Sequence, residues 1–241
     1  MDETKFIDEE VRRALKALKS LGNEAKQQYE THLYIALMLH NNFISRKGEA
    51  WHQLALRSVE RVDYHEATER FTKAKQAIDP RGQPLAYARV LRDEAWLAAR
   101  YQGNLERGQT LIAEAFRHHE RDLRKARGHR AKTKGRRQEL ITQTYAWRIE
   151  YLTSHRQAAL SELLRVAHYE GREFCERDQL AILKFLIPRV GIEERVKLQF
   201  RASQLNSANG SLVWLPYRTA LRATTTGLSS IRWLTRLIRE E

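Results

Sequence analysis

The residues of this chain spaced for chemistry are a few histidines, a few acids and one dense run of cations. His65-Glu66-x-x-Glu69 has the outline of a helical metal site, but Glu69 stands where a second histidine would complete it. Asp63, Glu66 and Glu69 fit better as acids that cap a helix start and offset its dipole. His118-His119 are neighbours, so on a helix they point to different sides and make a poor chelating pair. His155 and His168 are out of helical phase with each other. Cys175 lies near Arg172 and Arg177, which favour a thiolate, yet no base is spaced to work with it. No phosphate-cradling Gly-x-x-x-x-Gly-Lys loop and no Gly-x-Gly-x-x-Gly turn occurs. No second cysteine is present to share a zinc ion or a disulfide. The expectation is a non-enzymatic protein with no catalytic residue, no metal and no cofactor.

The cations are different. Between Arg117 and Arg137 lie 10 Lys/Arg residues and two acids, Glu120 and Asp122. Arg124, Lys125, Arg127, Arg130, Lys132, Lys134, Arg136 and Arg137 are the candidates for anion or nucleic-acid contact. This stretch has almost no apolar content and reads as a mobile loop or a frayed helix end. Such runs neutralise phosphates and release counterions. No aromatic residue interleaves them, so backbone contact without base stacking is the expected mode. A solvated basic loop with no dedicated ligand is the alternative.

The elements that position these groups read as helices. The chain has 241 residues with 42% hydrophobic and 30% charged residues, and only 4 Pro and 11 Gly. That is enough apolar material for a core and too few turn residues for many strands. Apolar spacing predicts helices over 8–21, with Val11, Leu15 and Leu18, and over 24–40, with Tyr29, Leu33, Ala36 and Leu37. Asp63-x-x-Glu66 predicts a capping box. Pro80 and Gly82 stop the helix that carries Ala67, Phe71 and Ala74, and Pro84 restarts the chain. Ser154-x-x-Gln157 predicts another cap. Further helices are expected over 178–187 and 192–205, divided by Pro188 and Gly191. Two terminal amphipathic helices are expected over 212–222 and 228–239.

One unit stands out within this pattern. Trp51-x2-Leu54-Ala55, then Ala67-x3-Phe71-x2-Ala74, then Pro80, alternate bulky anchors with small residues that admit a neighbouring helix. The order resembles the tetratricopeptide repeat (TPR). Weaker copies follow. Ala88, Leu91, Ala95, Ala98 and Ala99 precede Gly108, Ile112 and Ala115; Ile141, Tyr145, Ile149 and Leu152 precede Ala159, Leu163 and Val166. Each second helix repeats the same 4-then-3 spacing. The resemblance covers 49 to about 167, half of the chain.

The resemblance implies an all-α fold of antiparallel helix-turn-helix pairs, stacked as a short right-handed TPR-like solenoid with terminal capping helices. The expected division is a helical pair over 1–46, repeats over 47–205 with a basic loop at 117–137, and basic capping helices over 206–241. The first helices of the pairs would line a concave groove. Its exposed candidates are His52, Gln53, Arg57, Arg89, Arg92, Asp93, Arg100 and Arg148. The arginines suit bidentate carboxylate or phosphate contacts. By resemblance the groove clamps a peptide or helix, so the expected function is an adaptor for an acidic segment of a protein partner. The alternative is a nucleic-acid-binding protein working through 117–137.

Charge is consistent with either partner. The net charge is +13, which favours anionic partners at low salt. From Arg195 to Arg239 there are eight basic residues and no acid. That end reads as a cap on the helical stack, ahead of peripheral contact with an anionic membrane. Asp2, Glu3, Asp8, Glu9 and Glu10 interrupt any apolar leader, and no uncharged run of about 18 residues is present to span a bilayer. A reducing, cytoplasmic setting is the expectation.

Overall fold

The computed structural model describes residues 3–20, 23–39, 46–168 and 176–208. Among these residues there are ten α-helices and no strand. They are α1 Glu3–Ser20, α2 Asn23–Leu39, α3 Lys47–Glu60, α4 Tyr64–Ala77, α5 Pro84–Tyr101, α6 Leu105–Lys125, α7 His129–Glu150, α8 Arg156–Ala167, α9 Glu176–Leu186 and α10 Ile192–Ala208. The expected all-α class holds. A 3₁₀ turn, Ile187–Arg189, carries Pro188 between α9 and α10. The expected terminal helices from 209 onward, and Cys175, lie outside the described residues.

The chain divides into two compact units, Met1–Ala159 and Leu160–Glu241. The boundary falls within the stretch read from sequence as one repeat array. In the first unit, α3 packs on α4, α5 on α6 and α6 on α7 across short links. The central helix, α5, also touches α3, α4 and α7. In the second unit, α9 and α10 fold back on one another around the 3₁₀ turn and bury Leu183, Leu186 and Leu198.

Two cores explain why α5 is central. Val90 and Leu97 join a core with Leu15, Leu33, Trp51, Leu54, Phe71 and Ala74 from α1 to α4. Ala88, Leu91, Ala95 and Ala99 face the other way, onto Leu111, Ile112 and Ala115 of α6 and Ile149 of α7. Ala67, Phe71 and Ala74 have no exposed surface, as their inward stripe predicts. Ala159, Leu163 and Val166 are buried too. The Gly108 stripe works through contact distance: a Cβ on Gly108 would lie 2.8 Å from the Ala99 Cβ. Only glycine lets α5 and α6 approach so closely.

Caps set the helix starts. The Asp63 carboxylate accepts the Glu66 backbone N–H at 3.0 Å. Asn104 does the same for Arg107 at 3.0 Å. The reciprocal half of the expected box is absent. The Asp63 backbone N–H donates to the Ser58 carbonyl, and the Glu66 side chain turns to Ser58, Arg61 and Arg70. Cations and a hydroxyl are stronger partners for a carboxylate than one more backbone N–H. Helix α8 starts at Arg156, so Ser154 stands one residue too early to be its N-cap, and the Ala159 N–H bonds the His155 carbonyl.

The largest departure is in the basic run. The expected loop at 117–137 is helical except for the link Ala126–Gly128. Lys and Arg are good helix formers, so charge alone does not melt the segment. Gly128 turns the chain with φ of 82°. Gly135 then lets α7 close on α6, where a Cβ would lie 2.8 Å from Leu123 Cδ2. One leucine and one glycine give the run the apolar contact that its composition hides.

Candidate binding surface

Where α5 packs against α3 and α7, five of the expected groove residues come together. His52 Nε2 of α3 lies 2.9 Å from Asp93 Oδ2 of α5. Arg92 Nε donates to Asp93 Oδ1 at 2.9 Å. The Arg92 guanidinium also sits over the Tyr145 ring of α7, 4.9 Å from its centre. Arg148 lies over the same ring at 4.9 Å. Trp96 meets the ring edge-on at 6.3 Å. One turn before Arg92, Arg89 Nε donates to Gln138 Oε1 of α7 at 3.0 Å. Cation–ring contact fixes the guanidinium planes.

The electrostatics match this packing. Burial alone would push the Asp93 carboxyl up; Arg92 and His52 outweigh it and hold the carboxyl well below its ordinary range. Burial pulls the Arg148 guanidinium down, and the nearby Arg92 charge adds to the effect. Behind the cluster, His119 Nε2 lies 2.8 Å from Thr142 Oγ1. Burial, then the Arg92, Arg89 and His118 charges, push His119 down to about 4. Thr142 Oγ1 donates to the Gln138 carbonyl. His119 is therefore neutral with its proton on Nε2, donating to Thr142.

The expectation that the groove candidates are exposed is corrected for all of them but Arg100. His52, Arg57 and Arg148 are buried, and Gln53, Arg89, Arg92 and Asp93 are half-buried. Arg100 is exposed. Arg57 belongs to a different network. Its side chain pairs with Glu60, and its Nε faces Glu30 Oε2 at 3.5 Å without hydrogen-bond geometry. Glu30 of α2 also takes Arg61 at 2.6 Å and Arg70 at 3.2 Å. Arg70 further bonds Ser58, the Leu54 carbonyl and Glu66. This buried ion cluster holds α2, α3 and α4 together. A similar one is centred on Glu94, which takes Lys75 at 2.6 Å and Arg107 at 2.8 Å.

The sequence reading did not single out Glu30, Arg70 or Glu94. A signal was present. Arg70 is three residues after Ala67 and four before Ala74, and Glu94 is three after Leu91 and four before Ala98. A charge in the phase of the core stripe must find a buried partner.

Among the expected anion contacts, Arg124, Arg127, Arg130, Lys132, Lys134 and Arg136 are exposed. Lys125 reaches the Arg81 carbonyl at 3.0 Å. Arg137 is half-buried. Among the described residues no group of three His, Cys, Asp or Glu is placed to hold a metal ion. No described helix is long and apolar enough to cross a membrane.

The chain matches no protein-family model, no curated protein and no solved structure.

Proposed function

We propose that this chain is a non-enzymatic adaptor whose α3/α4 and α5/α6 pairs, followed by α7, act as TPR-like units, and that the side where α5 packs against α3 and α7 receives an acidic segment of a protein partner. The observation that carries the reading is the shared Tyr145 ring: Arg92 and Arg148 reach it from different helices, at 4.9 Å each. Side chains fixed before a ligand arrives lose little entropy on binding it. Arg89 and Arg92 put two positive charges on one half-buried face of α5, in surroundings less polar than water, where attraction to a carboxylate is stronger. Trp96 adds an aromatic contact of the kind that anchors a partner's apolar side chain.

The test is an array of acidic helical peptides with scrambled and charge-neutralised controls, probed with the intact chain. The reading expects retention of acidic peptides by the wild type and loss of it in Arg89→Gln/Arg92→Gln. Retention that ignores peptide charge, or that survives the double substitution, would sink it.

A further inference from the structure

The basic hairpin offers a second surface, independent of the adaptor reading. Leu123 and Gly135 mark the line where α6 meets α7. Counted around each helix from that line, at 3.6 residues per turn, the cations separate into two flanks. Arg117, Arg121 and Arg124 recur at i, i+4 and i+7 on α6. Lys132 and Arg136, at i and i+4 on α7, fall on the same flank. Arg130, Lys134 and Arg137 fall on the opposite flank, with Asp122. The placement of Asp122 agrees: its Oδ2 abuts Gly135, and it feels the Lys134 charge. His118 and His119, which α5 helps to bury, lie on that opposite side, so the first flank is turned away from α5.

All five cations of the first flank are exposed. Among the described residues only Arg124 is drawn into an ion pair, with Glu120 at 3.3 Å. Among the described residues, none of the exposed large hydrophobic side chains lies between Tyr101 and Ile192. A protein partner needs such an apolar anchor; a phosphate polymer does not. The rise from Arg117 to Arg124 is about 10 Å, over which a duplex carries about six phosphate charges. A single strand carries about half that density, and the flank has no aromatic side chain to stack its bases.

We propose that the α6–α7 flank formed by Arg117, Arg121, Arg124, Lys132 and Arg136 binds the sugar–phosphate backbone of double-stranded nucleic acid, without reading its sequence. Phosphate contacts hold a duplex in place and leave base edges unread.

The experiment is fluorescence anisotropy of the full chain with a labelled mixed-sequence DNA duplex, titrated over a series of NaCl concentrations from about 50 mM upward. Binding is expected at the low end, with log K falling against log salt at a slope near −4. Lys132→Gln/Arg136→Gln should weaken it at least about tenfold and make the slope shallower by about 2. Arg130→Gln/Lys134→Gln removes the same charge from the opposite flank of the same helix and should change affinity less than about twofold. Arg121→Gln tests the flank from α6 alone and should also weaken binding. All these sites are exposed and Gln suits a helix, so circular dichroism should match the wild type. Three results would overturn the proposal. One is no binding at the lowest salt. Another is equal loss in the two double variants. The third is displacement of the duplex by polyglutamate of matched charge as readily as by unlabelled duplex.

Discussion

Gly108 of α6 lies directly against Ala99 of α5, so close that a Cβ on the glycine would stand 2.8 Å from the alanine's Cβ and 3.1 Å from the Ala95 carbonyl oxygen. The two helices therefore touch through backbone and small side chains. The clash is with rigid atoms, so the helices would have to move apart. Gly108→Ala should cost about 1–2 kcal/mol, the overpacking penalty less the gain in helix propensity. Urea unfolding measures it. An unchanged or raised midpoint would mean that α5 and α6 are not locked at this distance.

Glu30 is 4% exposed and meets Arg57, Arg61 and Arg70 from α3, the following link and α4. Glu30→Ala leaves buried guanidiniums with fewer carboxylates and should lower stability by about 3 kcal/mol. Hydrogen exchange should quicken across α2 more than across α5. Uniform exchange rates would argue that Glu30 does not tie the N-terminal helices to α3 and α4.

Val62 has φ of 67°, a left-handed conformation that a β-branched residue adopts only under strain, and its side chain is exposed. Val62→Asn keeps the turn and relieves the strain. Thermal melts should show a gain of about 1 kcal/mol, and a loss would mean that the valine contributes a contact worth more than its strain.

His119 gives the fold a pH dependence. Its folded-state pKa is pushed from 6.5 down to about 4, so the unfolded chain takes up the proton first as pH falls. Stability is unaffected above the unfolded value and declines from about pH 6.5 to about pH 4, as linkage requires. At pH 5 the loss relative to pH 7.5 should be about 2 kcal/mol. Asp93 acts lower: its carboxyl is held below 3.8, so its contribution is present above that value and fades as pH falls beneath it. Denaturation curves at pH 7.5 and 5 for the wild type and His119→Gln separate the two residues. The variant should show a smaller decline between these values, what remains coming from His118, whose pKa burial also lowers, and an identical decline would assign it elsewhere.

Much of the fold was legible because one-dimensional spacing encodes which face of a helix is buried. Ala67, Phe71 and Ala74 occupy one stripe and are fully buried. Asp63 and Pro84 stand at helix starts, as capping and a fixed φ require. The groove candidates were less legible. Spacing placed His52, Arg89, Arg92 and Arg148 on the first helices of successive pairs, but it could not say how far neighbouring helices would cover them. His52 is buried where Asp93 reaches across from α5, and Arg148 shares the Tyr145 ring of its own helix with Arg92 of α5.

The basic run shows the same division. Its cations were visible in the sequence, and so was their value toward an anion. Local composition read them as a loop, since nothing within 124–137 could bury itself. The partner that makes the segment helical is Leu123 against Gly135, a contact across a turn. Sequence by itself determined helix class, the core stripes and the excess of positive charge, all properties of spacing and side-chain type along one chain. Tertiary structure decided which charges are neutralised in the interior and which share an open flank. That outcome depends on atoms far apart in sequence meeting within a few ångströms, where desolvation and ion pairing are settled.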